Sequence, residues 1–128
     1  MIHLMKKSAR KPTFGERVLG FYNALVLPRK LLLPEMGIIY PYANPQIRGY
    51  AKEFYDTFYF DTKNRIFVFG INPGRFGSGT TGVPFTDPVA LQEYCGISNL
   101  LEKKRELTSR FVYEVINKLG GVTAFYGS

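Results

Sequence analysis

The chain has 128 residues, of which 45% are apolar and 21% charged, the balance of a single globular domain with its own core. Its 17 lysines and arginines against 10 acidic residues give a net charge of +7, which favours a polyanionic partner such as nucleic acid, with a basic surface that binds nothing as the alternative. A single cysteine, Cys95, excludes an internal disulfide and a four-cysteine metal site, and no apolar run has the length of a membrane span.

The chain begins with a basic arm, residues 1–12, and residues 13–128 form the predicted domain. The arm lacks the apolar core of a signal sequence, so a cytoplasmic location is expected. It is either solvated or in contact with phosphates. Thr13 is a predicted N-cap, and the helix that follows should end before Pro28. The apolar stripe of that helix consists of Phe14, Val18, Phe21, Tyr22 and Leu25.

A second helix is predicted after a proline-containing connection, residues 28–45. Asn44-Pro45 combines an N-cap side chain with a proline in the first turn, which is a typical helix start. One face of this helix is apolar, and we expect it to be core, with a base-stacking surface as the alternative. The residues of this face are Ile47, Tyr50, Ala51, Phe54 and Phe58. A turn at Asp61–Asn64 follows.

The central stretch of the sequence is a strand pattern that runs into a glycine-rich loop. Ile66–Phe69 is β-branched and aromatic without alternation, as in a strand that is buried on both faces. Open α/β sheets bind their ligands at the carboxyl ends of such strands. The loop glycines are Gly70, Gly74, Gly77, Gly79 and Gly82. The loop side chains available for chemistry are Asn72, Arg75, Thr80, Thr81 and Phe85.

Asp87-Pro88 repeats the cap-and-proline pattern and opens a third helix, which should reach Tyr94 and be closed by Gly96. Cys95 is expected to lie in this helix as a core residue rather than a nucleophile. Residues 102–106 are charged and are either a solvated surface or a DNA-backbone contact.

The last predicted elements are a helix capped by Thr108 or Ser109, which Gly120-Gly121 ends, and a strand at Val122–Tyr126. The sequence therefore contains two convincing strands. Two strands make a poor sheet for several helices to cover. We accordingly expect the N-terminal part of a longer fold, or strands supplied by another chain.

The loop also carries a family resemblance. Gly70-Ile-Asn-Pro-Gly74, then Phe76-Gly77, then Thr81-Gly-Val-Pro-Phe85 resemble the first active-site motif of the uracil-DNA glycosylase superfamily. The likeness is greatest to the single-strand-selective monofunctional branch and extends to the mismatch-specific uracil/thymine branch. It implies an α/β fold with three α/β/α layers and a mostly parallel central sheet, truncated after its N-terminal half. It also implies hydrolysis of the N-glycosidic bond of uracil or a related damaged base in DNA, without metal or cofactor.

The resemblance assigns roles to the loop residues. Asn72 would orient a water beneath the sugar C1′, although a turn residue is the alternative reading, and Phe85 would stack on the flipped base. Asp87 could act as a base, but N-capping explains it better. The substrate pocket would also include Gly70, Ile71, Pro73, Gly74, Phe76 and Gly82. The candidates for contacts with the DNA backbone are Arg75, Lys103, Lys104 and Arg105.

The sequence departs from the family in its second motif, which lies near the C-terminus and supplies a histidine to the leaving base. The only histidine here is His3, in the basic arm. We therefore expect little activity from these 128 residues alone. The alternative is a non-catalytic module that binds nucleic acid through the loop. A phosphate-binding domain of another class is a third reading, which the missing Gly-Lys-Ser/Thr ending of a P-loop weakens.

Overall fold

A computed structural model describes residues 10–26, 28, 30, 33–35, 37–71 and 73–127 of the chain. This part of the chain contains six α-helices and one short 3₁₀-helix at Pro41–Ala43. The α-helices are α1 (Phe14–Ala24), α2 (Pro45–Phe58), α3 (Ser78–Thr81), α4 (Pro88–Glu93), α5 (Leu107–Lys118) and α6 (Val122–Gly127). None of these helices is long and apolar enough to cross a membrane.

The predicted α/β/α fold with a parallel central sheet is wrong, because the described residues form helices and no strand. Ile66–Phe69 has the composition of a buried strand, yet its side chains are exposed, from 65% for Phe67 to 96% for Ile66. The rings of Phe67 and Phe69 stack with centroids 6.1 Å apart, so alternate side chains share one side. An apolar run becomes a strand only when another backbone pairs with it, and no described segment does so.

The strand predicted at Val122–Tyr126 is also wrong, because these residues belong to α6. Gly120 and Gly121 have φ of 102° and 88°, which ends α5 as predicted and lets the chain turn into α6. Tyr126 then packs edge-on against Phe54 at 5.2 Å between ring centroids. Val122, Phe125 and Tyr126 recur at helical spacing and all contribute to the core, and this period outweighs their β propensity.

Local cap signals predicted three of the helix starts correctly. The Thr13 hydroxyl accepts from the Glu16 N–H at 3.1 Å, and the Glu16 carboxylate accepts from the Thr13 N–H, which forms a capping box. Asn44 accepts from the Gln46 N–H at 2.9 Å to cap α2. Asp87 accepts from the Ala90 N–H at 2.8 Å to cap α4.

The predicted cap of α5 is wrong. The helix begins at Leu107, so that its N-cap is Glu106 and neither Thr108 nor Ser109. The Ser109 hydroxyl instead accepts a hydrogen bond from the Asp87 N–H at 3.0 Å. A tertiary contact thus uses the side chain that the local pattern assigned to a cap.

The apolar face of α2 lies in the core, as predicted, with Phe54 2% exposed. The core also buries Cys95, although this residue follows α4 rather than lying inside it. Burial raises the pKa of the Cys95 thiol to about 11, so the thiol stays protonated at neutral pH. The Tyr113 hydroxyl lies 3.1 Å from the Cys95 sulfur and 2.9 Å from the Thr86 hydroxyl.

A buried arginine fixes the start of the exposed run. The Arg65 side chain is 5% exposed and pairs with Asp61 at 2.7 Å. It also donates to the Tyr126 carbonyl at 3.1 Å and lies 5.1 Å from the centre of the Tyr59 ring. These contacts tie the segment before the glycine loop to α6 and to the end of α2.

Candidate functional site

The glycine loop comprises residues 70–82, with α3 as its last turn. The N–H groups of Gly77 and Gly79 donate to the Gly74 carbonyl at 3.2 and 2.9 Å. The Thr80 hydroxyl donates to the Arg75 carbonyl at 2.7 Å. The loop therefore folds back on Gly74, and the Thr80 hydroxyl is used within the loop rather than presented for chemistry.

Asn72, the predicted water-orienting residue, lies outside the described residues. Its neighbours on both sides are described and are exposed: Ile71 is fully so at 103%, and Pro73 is also open to solvent. The proposed pocket residues of this part of the loop thus present their side chains to solvent. The role of Asn72 stays a prediction.

Phe85 lies against Gly70, so the two blocks of the motif meet in space. A Cβ placed on Gly70 would be 3.1 Å from the Phe85 Cε1 atom and 3.3 Å from Cζ. Phe85 has φ of 56°, in the left-handed region that side chains other than glycine rarely adopt. Such conformations persist only where the surroundings enforce them, and they concentrate at ligand-binding sites.

Two buried threonines enforce this turn. The Thr81 hydroxyl donates to the Thr86 carbonyl at 2.7 Å and accepts from the Val83 N–H at 3.1 Å. The Thr86 hydroxyl lies 2.8 Å from the Pro84 carbonyl, to which it donates, and 2.9 Å from the Tyr113 hydroxyl. The backbone on both sides of Phe85 is therefore fixed to the core. Thr81 was a candidate for chemistry by sequence, and it is fully buried.

Gly82 is buried between the loop and α2. It ends α3 with φ of 73°, and its carbonyl accepts from the Tyr42 hydroxyl at 2.6 Å. A Cβ at this position would be 2.9 Å from the Ile47 Cγ2 atom. A glycine here therefore allows close packing against α2. Gly82 was predicted to line the substrate pocket, but it packs against Tyr42 and Ile47. Burial, together with the neighbouring Tyr22 and Tyr40, raises the pKa of Tyr42 far above its usual range.

One carboxyl group that the sequence analysis did not single out enters the loop. A Cβ on Gly74 would lie 1.5 Å from the Glu106 Oε1 atom, and a Cβ on Gly77 would lie 1.8 Å from Oε2. Burial, and secondarily the charge of Asp87, raise the pKa of Glu106. In the sequence Glu106 belongs to the charged segment 102–106, and nothing in that pattern indicates a contact with the loop.

The basic residues predicted to contact DNA have different partners. Lys103 donates to the carbonyl and side-chain oxygens of Asn99 at 2.6 and 2.7 Å. Arg105 pairs with Glu93 at 3.3 Å. Lys104 lies over the Phe76 ring, 4.9 Å from its centre, and pairs with Glu102 at 3.2 Å.

Arg75 is exposed within the loop, so Arg75 and Lys104 are the predicted cations nearest to it. Lys103 and Arg105 border a cavity of about 260 Å³ that is separate from the loop. Over the part of the chain that the structure covers, no group of three or more His, Cys, Asp or Glu side chains could hold a metal ion.

Comparison with known proteins finds similarity to a solved structure. The crystal structure of wild-type SMUG2 from Pedobacter heparinus superposes with a TM-score of 0.83 and is 39% identical in sequence. The match covers 91% of this chain and 50% of that protein, so the chain spans about half of its length. No protein-family model matches the chain, and no curated protein does either.

Proposed function

We propose that this chain, a SMUG-like member of the uracil-DNA glycosylase superfamily, acts in base excision repair by binding uracil or a related damaged base in DNA and hydrolysing its N-glycosidic bond. The likeness to SMUG2 at 39% identity over 91% of the chain is the observation that carries the proposal. The contact between Phe85 and Gly70 supports it, because both blocks of the loop motif then face one place.

The reaction needs the base outside the stack and a water beneath C1′. Phe85 would stack on the flipped base, in a turn that Thr81 and Thr86 hold from the core. Asn72 would orient the water through its amide oxygen. The water oxygen bonds to C1′ as the bond between C1′ and the base nitrogen breaks, and the base departs as an anion with that electron pair. The proton that the attacking water releases passes to solvent. Because an amide cannot accept a proton as a carboxylate can, this arrangement suits a good leaving group such as uracil.

The departing anion needs hydrogen-bond donors or positive charge. In the superfamily the second motif supplies a histidine for this purpose, and the sole histidine of this chain is His3. Loss of one such donor lowers the rate by about 10²- to 10³-fold. We therefore expect slow uracil release from residues 1–128, with loop N–H groups as the remaining donors.

DNA binding would use the net positive charge of +7 and the cations beside the loop. Arg75 and Lys104 are the best placed of the predicted contacts, because Arg75 is in the loop and Lys104 lies on the Phe76 ring. Lys103 and Arg105 border the cavity that is separate from the loop and are weaker candidates.

A non-catalytic nucleic-acid-binding module is the second candidate function. The observation that favours it is the net charge of +7, which suits a polyanionic partner whether or not a base is released. Such a module would keep the loop and its cations without releasing a base.

The two functions are separated by uracil release from a single-stranded oligonucleotide that carries one uracil. Catalysis predicts a slow release by residues 1–128 that Asn72→Ala abolishes, while Asn117→Ala, at an exposed position on α5, leaves it unchanged. Release that is the same in the Asn72 variant would contradict the assigned chemistry. Binding without any release would favour the module.

A further inference from the structure

The glycine loop contains five glycines between positions 70 and 82, so its backbone carries more conformational freedom than most loops of its length. A loop of this composition binds a ligand well only if something outside it restricts the backbone. The internal bonds to the Gly74 carbonyl close one side of the loop. The Glu106 carboxyl group fills the other side.

The fit between Glu106 and the loop is specific to glycine at two positions. Oε1 occupies the space of a Gly74 side chain, and Oε2 occupies that of a Gly77 side chain, at 1.5 and 1.8 Å from the respective Cβ sites. A Cβ at either position would require the Glu106 carboxyl group, the end of a flexible side chain, to move aside. The carboxyl oxygens therefore occupy space that glycine leaves empty at these two positions.

The main chain at Glu106 is held by hydrogen bonds to buried groups. The Glu106 N–H donates to Asp87 Oδ2 at 2.9 Å, and the other Asp87 oxygen caps α4 through the Ala90 N–H. The Asp87 N–H in turn donates to the Ser109 hydroxyl in the first turn of α5. Asp87 and Ser109 are 1% and 0% exposed. The position of the Glu106 main chain is thus set by α4 and α5 together.

We propose that Glu106 is a positioning residue, whose carboxyl group wedges between Gly74 and Gly77 and holds the glycine loop in its ligand-binding form. The same network places Asp87 and Glu106 in one unit, so that the loop takes its position from the buried start of α4. The meaning of this wedge for catalysis rests on the proposed function, whereas the wedge itself does not.

Amide hydrogen exchange of ¹⁵N-labelled protein tests the wedge directly. The reporters are Gly77 and Gly79, whose N–H groups bond to the Gly74 carbonyl. We expect Glu106→Ala to speed their exchange by about tenfold or more, because the loop then opens locally. Glu106→Gln keeps the shape and should stay close to the parent protein. Glu114→Ala, at an exposed position on α5, is the control.

The amide of Ala51, buried in α2, reports global opening. Equal acceleration at Ala51 and in the loop would mean a general loss of stability and would overturn the proposal, as would unchanged exchange at Gly77 and Gly79. Should Glu106→Ala fail to fold, Glu106→Asp, whose carboxyl group is one methylene shorter, takes its place. Exchange should then speed up at Gly77 and Gly79 and stay unchanged at Ala51.

A second experiment uses the steric relation itself. Gly74→Ala places a methyl group where Oε1 lies and should displace the loop amide resonances. Adding Glu106→Ala removes the obstacle, so the double variant should fold more stably than Gly74→Ala alone, and a double variant that is no better overturns the wedge. Uracil release measured in parallel separates the two claims. If the loop opens in the variants but neither they nor the parent protein releases uracil, the positioning role of Glu106 stands and the glycosylase assignment is wrong.

Discussion

The ring of Phe85 packs against the backbone of Gly70, with its Cε1 atom 3.1 Å from the place where a Cβ would lie. This relation joins the start of the glycine loop to the turn that follows it. A Cβ at position 70 would make the ring move by a few tenths of an ångström, so glycine allows this close approach. The left-handed backbone of Phe85, at φ of 56°, is what directs the ring there.

Phe85→Ala should weaken binding of single-stranded, uracil-containing DNA. Stacking of a base on an aromatic ring contributes about 1–3 kcal/mol, which corresponds to a loss of about 5- to 150-fold in affinity. Fluorescence anisotropy with a labelled oligonucleotide measures it. Phe111→Ala, at a site on α5 that is 65% exposed, is the control and should bind as the parent does. Equal losses in both variants would mean that Phe85 does not touch the base.

Thr81→Val should destabilise the fold. The substitution keeps the shape but leaves the Thr86 carbonyl and the Val83 N–H without their buried partner. Such a loss costs about 1–3 kcal/mol in the free energy of unfolding. Urea denaturation followed by circular dichroism measures this quantity. Thr57→Val, at an exposed site on α2, should change this free energy little. Similar values for the two variants would refute the role of Thr81 in holding the turn.

The free energy of unfolding should fall at alkaline pH because of Cys95. Burial raises its pKa from 9.0 to about 11, so the unfolded chain loses this proton first. The stabilisation is complete below about pH 9 and is lost as the pH rises towards 11, by up to about 2 kcal/mol. Urea denaturation at pH 8 and pH 10 measures the slope. Cys95→Ala should flatten it, and an unchanged slope would assign the effect to other groups such as Tyr59.

Binding to single-stranded DNA should weaken steeply with salt, because cations that contact phosphates release counterions. Lys104→Ala should lower the affinity and reduce the slope of log K against log salt by roughly 0.7, the value for one contact with a single strand. The comparison is Lys118→Ala, at the exposed end of α5. A flat salt response would favour a small ligand over nucleic acid.

The helix starts could be predicted from the sequence because caps are local. Thr13, Asn44 and Asp87 each bond to an N–H two or three residues ahead, which is visible as a short pattern. The family resemblance, which rests on the loop motif, was also predictable, and the likeness to SMUG2 confirms it.

The predictions that were wrong or missing depend on contacts between residues far apart in the sequence. Ile66–Phe69 has the composition of a strand, but pairing depends on a neighbour that the run itself does not specify. The helical spacing of the apolar residues in Val122–Tyr126 predicts the helix correctly, whereas their β propensity does not. The contact between Glu106 and Gly74 crosses from the start of α5 to the loop, and no local pattern encodes it.

The most direct test of the central claim, that the loop recognises uracil in DNA, is a competition titration. Residues 1–128 are bound to a labelled single-stranded oligonucleotide and displaced by unlabelled strands that differ only in one uracil or thymine. We expect stronger competition by the uracil strand, with the difference lost in Phe85→Ala. Equal competition by the two strands, with the parent protein fully folded, would contradict it.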